Sequence, residues 1–207
     1  RKNRGLEMAR ILQGKTLFSL AEIYRIYVSA LRTVPLMARG ERTGLLSKAL
    51  RERLMIAVTE VNGCALCSWY HARVALETGL DSDEIKQMLA GEFQGAPTAE
   101  ATALLFARHY ADTRGKPSPA AWQRLCATYG KAAALSMLGA IRGIMLGNAI
   151  GIPSGSLLHR LGVKRLQKDS RSTLLYELAV LAAFALMTPL ALLHAAVAGL
   201  LRLPVEP

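Results

Sequence analysis

Acidic residues are scarce in this chain of 207: 15 Asp and Glu stand against 26 Lys and Arg, a formal net charge of +11. Such an excess raises nucleic acid or an anionic membrane surface as partners. Its distribution argues against the first. Twelve basic and four acidic side chains fall in residues 1–53, five and one in residues 156–172, and the remainder is close to neutral. Aromatics make up only 6% of the chain, and neither basic flank interleaves them as a stacking platform does or shows the paired-helix pattern of a groove reader. No nucleic-acid partner is expected. Cysteine is equally scarce: three residues, two of them in a C-x-x-C pair (Cys64 and Cys67) and Cys126 alone, exclude a secreted disulfide framework. The opening RKNRGLEMARIL has no apolar run beside a small-residue cleavage site, so a reducing, cytoplasmic compartment is the expectation.

Strand signals are also missing, since no run alternates with period two between turn residues, whereas helical spacing recurs from end to end. With 52% hydrophobic residues the chain can bury one sizeable core, and the expected fold is all-α. Residues 6–37 read as one long or broken helix with Leu17, Leu20, Ile23, Tyr24, Tyr27, Val28 and Leu31 on one stripe, interrupted by Pro35 and Gly40. Ser47 caps a helix running to the Asn62-Gly63 turn. A second follows at once from Cys64 to Thr78 and stops at Gly79. Asp81 with Glu84 reads as a capping box. Thr98 opens a helix that ends before Gly115-Lys116-Pro117, and Ser118-Pro119 starts another whose buried face is Trp122, Leu125, Cys126 and Tyr129. Residues 131–150 form the last core helix, ended by a loop at Gly151-Ile152-Pro153-Ser154-Gly155.

The composition then changes. Residues 178–200, from Leu178 to Leu200, carry no formal charge, and a helix of that length covers about 34 Å, enough to cross a bilayer. Pro189, His194 and a high alanine content allow the other reading, one helix or a helix pair buried in a subunit interface. With the basic cluster Arg160, Lys164, Arg165, Lys168 and Arg171 on its N-terminal side, an inserted tail would keep the main domain cytoplasmic, at the inner face of the membrane. Three segments result: a helical N-terminal segment (1–44), a central redox unit (45–155), and a basic linker with a hydrophobic C-terminal element (156–207).

The chemistry concentrates in RERLMIAVTEVNGCALCSWYHARV. Cys64 and Cys67 lie three apart at a helix start, on one face and within reach of a disulfide, where unpaired backbone N–H groups and the helix dipole favour thiolate. His71 follows on the same face, four residues after Cys67, and can take a proton from a thiol. The tight turn sends the preceding helix back antiparallel, so a carboxylate on it can orient that histidine; Glu52 and Glu60 are the candidates.

Glu52, eleven residues, Cys64, two residues, Cys67, three residues, His71 is the E-x11-C-x2-C-x3-H pattern of the AhpD-like alkylhydroperoxidases, within the carboxymuconolactone decarboxylase-like superfamily, and the chain resembles them over residues 45–152, including ALLFARHYADTRGKP and GNAIGI. The resemblance implies a helical homo-oligomer, a trimer or a multiple of trimers, whose cysteine pair cycles between dithiol and disulfide. Cys67 would attack the peroxide substrate and Cys64 resolve the sulfenic acid. His71, backed by Glu52, would handle the protons. The electron donor would be a dithiol carrier, a lipoylated or thioredoxin-like protein, and no cofactor or metal is called for. Leu66 stands where a family member carries a second histidine. Decarboxylase members do not rely on a cysteine pair, which favours redox work. The alternative is a non-catalytic redox sensor or a membrane or oligomer scaffold on the same fold.

Plainer roles remain for the other residues. Cys64, Cys67 and His71 could ligate zinc with Glu52 or Cys126, but the hairpin-paired spacing of zinc sites is missing. Glu60 reads as a solvated or helix-end carboxylate, Cys126 as a buried apolar filler, and His109 and His159 as surface or capping residues. Trp69 and Tyr70 would pack on the neighbouring helix or line the peroxide pocket. His194 would serve in a membrane or make a helix-packing hydrogen bond.

Overall fold

The structure, a computed structural model, describes residues 17–163, 166 and 168–207. Among them are eight α-helices and one 3₁₀ turn, and no strand: α1 (Leu20–Arg42), α2 (Lys48–Asn62), α3 (Ala65–Glu77), α4 (Ser82–Met88), the turn Thr98–Glu100, α5 (Ala101–Asp112), α6 (Pro119–Tyr129), α7 (Lys131–Arg160) and α8 (Leu174–Leu200). The all-helical expectation holds. The part of the first expected helix before Leu17, together with Lys164 and Arg165 of the basic cluster, lies outside the described residues.

Helix boundaries set by capping chemistry fall where the sequence puts them. Ser47 accepts from the Leu50 N–H, Gly63 closes α2 in the left-handed conformation, and Ser118 caps α6 with Pro119 in its first turn. Asp81 caps α4 through the N–H groups of Asp83 and Glu84, but the capping box expected there is one-sided. The Glu84 carboxylate is drawn away by Arg53, whose Nε and Nη2 donate to it at 2.5 and 3.2 Å. The reciprocal box stands instead at the start of α1, between Ser19 and Glu22.

The three prolines expected to interrupt helices do not. Pro35 sits on the exposed side of α1, where water can serve the carbonyl its missing N–H leaves free, and α1 continues past Gly40 to Arg42. Gly40 and Gly139 carry the closest approach of α1 to α7: a Cβ on Gly139 would lie 2.5 Å from the Thr33 carbonyl, and one on Gly40 would overlap Ser136. The loop expected at 151–155 is helix, and α7 runs on to Arg160 with Pro153 inside it. Burial of Ile152, Pro153, Gly155 and Ser156 offsets the roughly 3 kcal/mol that an internal proline costs. Pro189 is likewise inside α8, so the tail is one helix rather than a pair.

The core is built around α7, which packs on α1, α2, α3, α6 and α8. Leu54, Met137, Leu138, Ile141 and Met145 fill it. On α6, Trp122 and Leu125 are buried as expected, whereas Cys126 and Tyr129 are half-buried at its rim. Both α7 and α8 are long and apolar enough to cross a membrane. They differ in surroundings: 72% of the apolar window of α7 is buried in the fold against 11% for α8. The inner face of α8 is nonetheless specific. Val180 joins the main core, Tyr27 stacks on Phe184, Tyr176 donates to the Phe18 carbonyl, and fully buried Glu177 accepts from Arg160 and Ser172. His194 bonds the Tyr24 hydroxyl at 3.1 Å, the helix-packing role.

Candidate functional site

α2 and α3 form a tight antiparallel hairpin because Asn62 ends one, Gly63 turns the chain at φ 74°, and Cys64 caps the other. The Cys64 sulfur accepts from the Cys67 N–H at 3.3 Å, so the first cysteine holds the helix N-terminus that carries the second. The two are joined as a disulfide with Cα atoms 5.2 Å apart. Cys64 is fully buried, while Cys67 keeps 7% of its surface. One turn on, His71 meets α2: its Nδ1 lies 2.8 Å from Glu52 Oε2.

Glu52 is held on both sides. Its other oxygen accepts from Arg51 Nε at 2.7 Å, and Arg51 reaches on to Glu41. Burial pushes the Glu52 carboxyl up, but the bonds from His71 and Arg51 outweigh it and hold the group below the usual carboxylate range. An ionised Glu52 accepts, so Nδ1 of His71 carries the donated proton and Nε2 of a neutral ring is left as a proton acceptor. Glu52, Cys64, Cys67 and His71, singled out by spacing, thus stand on one helix hairpin.

Three features escaped the sequence reading. The first is the floor. Cys67 Sγ lies 3.6 Å from the Gly147 carbonyl, and a Cβ on Gly151 would come within 2.6 Å of Cys67 Sγ and 2.8 Å of Cys64 Sγ. Gly155 continues the strip beneath Leu66, so glycines four apart on α7 form a shallow trough for the cysteine turn. That spacing within an apolar helix was the available signal. The second is polar: Thr59 donates to Asn148 Oδ1, and the Asn148 Nδ2 group, wholly buried, has no hydrogen-bond partner among the described residues. The third is Glu60, which lies in the last turn of α2 as a helix-end carboxylate but is half-buried rather than solvated: it accepts from Ser68 Oγ at 2.8 Å, and burial pushes its carboxyl up to about 7.

The remaining candidates take plain roles. His109 Nε2 accepts from the Ser118 N–H, and His159 Nδ1 bonds the Leu166 carbonyl. Trp69 and Tyr70 are both exposed, with Tyr70 meeting the His71 ring edge to face at 5.1 Å.

Residues 30–113 match the model of the carboxymuconolactone decarboxylase family. That segment is similar to the carboxymuconolactone decarboxylase family. No curated protein and no solved structure matches the chain. Glu52, Glu60, both cysteines and His71 fall inside the matched segment, whereas Gly147 and Gly151 come from α7, beyond it. The matched segment therefore carries the cysteine pair, His71 and Glu52, and α7 supplies the surface on which the cysteines rest.

Proposed function

We propose that residues 45–155 act as a thiol-dependent peroxidase or disulfide reductase of the alkylhydroperoxidase kind. The observation that carries this reading is the Glu52–His71 hydrogen bond one helical turn beyond a buried C-x-x-C disulfide. A structural disulfide or a simple redox switch requires no oriented histidine.

In the reduced protein Cys67, the less enclosed cysteine, attacks the distal peroxide oxygen. The O–O bond breaks, an S–O bond forms, and the departing alkoxide takes a proton. His71, oriented by Glu52, accepts the Cys67 thiol proton beforehand and returns it to the alkoxide. Cys64 then attacks the Cys67 sulfur, the sulfenic oxygen leaves as water, and the disulfide forms. Two electrons from an external dithiol, a lipoylated or thioredoxin-like protein, restore both thiols. Leu66 between the cysteines offers no second imidazole, so one histidine carries the proton traffic.

α8 serves attachment rather than chemistry. Leu186, Leu190, Leu193 and Leu200 are 60–83% exposed along its outer face, with no charge between Leu178 and Leu200. That face rests on the cytoplasmic surface of a membrane; assembly of further copies, a trimer or a multiple of it, is the alternative, and flotation with lipid vesicles separates the two. The test of the chemical reading is peroxide consumption by the full chain with lipoyl and thioredoxin-type dithiols. Wild type turns over and Cys67→Ser does not. Equal rates for both would overturn it.

A further inference from the structure

A polar cavity lies away from the cysteine pair, between α1, the turn after α5 and α7. It has a volume of about 160 Å³ and is lined by Arg25, Arg114, Lys116 and Arg142, with Glu22 as its one carboxylate. Glu22 is already committed, accepting from Arg114 Nε at 2.7 Å and Nη2 at 2.9 Å. Arg25, Lys116 and Arg142 form no ion pair among the described residues.

Arg142 decides the reading. It is only 8% exposed, and its partners are both neutral: Nε donates to the Tyr110 hydroxyl at 2.9 Å and Nη1 to the Val205 carbonyl at 2.6 Å. Its Nη2 makes no hydrogen bond among the described residues. A guanidinium so enclosed ordinarily meets a carboxylate, because removing its charge from water without a counter-charge is costly. Arg114 at φ 54° and Gly115 at φ 83° also line the cavity; their N–H groups donate to the Ala111 and Tyr110 carbonyls, so the left-handed turn that closes α5 brings the Arg114 side chain to the cavity wall.

We propose that this cavity binds a small oxyanion, the carboxylate or phosphate group of a metabolite, with Arg142 as the buried anchor and Arg25 and Lys116 closing over it from the mouth. The proposal is independent of the peroxidase reading, since none of these residues handles the cysteines.

Thermal unfolding of the full chain, titrated with inorganic phosphate and separately with succinate at ionic strength held constant with sodium chloride, tests it. One or both anions are expected to raise Tm in a saturable way, and the more effective one identifies the group preferred. Arg142→Met should abolish the shift. Should that variant fail to fold, Arg25→Gln/Lys116→Gln changes only exposed side chains and should weaken the apparent Kd at least tenfold. Shifts no larger than sodium chloride gives, or undiminished in the Arg25→Gln/Lys116→Gln variant, would overturn the proposal.

Discussion

Replacing Gly151 by alanine probes the seat of the disulfide with a single methyl group. Two effects oppose one another. Any helical Gly→Ala change gains about 1 kcal/mol in helix propensity. At Gly151 the new carbon would stand 2.6 and 2.8 Å from the two sulfurs, about 1 Å inside van der Waals contact, so α3 or α7 must shift; overpacking of that kind costs about 1–3 kcal/mol. Gly147, one turn earlier on α7, is the internal control, because its Cβ would meet only the Ile144 Cδ1 atom at 3.4 Å. Gly147→Ala should therefore be neutral or stabilising, and Gly151→Ala should be less stable than Gly147→Ala by about 1–3 kcal/mol, roughly 2–12 °C in Tm for a chain of this size. Calorimetry on the oxidised proteins measures the difference. Thiol titration of the same samples should find Cys64 and Cys67 harder to keep oxidised in Gly151→Ala. Equal Tm values for the two variants would refute the close seating of the disulfide on α7.

Glu52 and His71 should behave as a unit. Each single change, Glu52→Gln or His71→Ala, is expected to slow peroxide turnover about 10²–10⁴-fold, and the double variant should be no slower than His71→Ala; multiplied losses in the double would separate them. Glu60 should make stability fall with pH. Because burial raises its pKa from 4.5 to about 7, the folded chain holds a proton that the unfolded chain releases, so its contribution is complete below pH 4.5 and declines by up to about 3 kcal/mol as pH rises to about 7. Glu60→Gln should flatten that part of the stability profile, and an unchanged profile would place Glu60 in water. Ending the chain at Ser170 strips Glu177 from Arg160 and Val180 from the core, and should lower Tm well below that of Leu186→Gln/Leu193→Gln, which alters only the outer face of α8 and should reduce vesicle flotation. Flotation unaffected by the double change would remove the membrane role.

Features of the fold that rest on local chemistry were legible in the sequence. Ser47, Gly63 and Ser118 set their boundaries through a hydroxyl cap, a left-handed turn and a first-turn proline, each decided within a few residues. The prolines follow the opposite rule: Pro35, Pro153 and Pro189 would break isolated helices, but exposure at Pro35 and burial of Gly151, Ile152, Pro153, Gly155 and Ser156 in α7 turn the balance through surroundings that local sequence does not describe. The candidate site divides in the same way. The spacing of Glu52, Cys64, Cys67 and His71 is a property of one hairpin and could be read directly. The close seating of the sulfurs on Gly151, the burial of Glu60 and the Asn148 Nδ2 group, which lacks a hydrogen-bond partner among the described residues, depend on where α7 crosses that hairpin, and the glycine spacing of α7 is the one local sign of it.

The central claim is that Cys67 is the thiol that meets peroxide. Its most direct test is mass spectrometry of Cys64→Ser treated with limiting alkyl hydroperoxide in the presence of dimedone. The account predicts one dimedone adduct, located by peptide mapping on Cys67, and none in Cys67→Ser. An adduct on Cys64 in Cys67→Ser, with Cys67 unlabelled in Cys64→Ser, would contradict it.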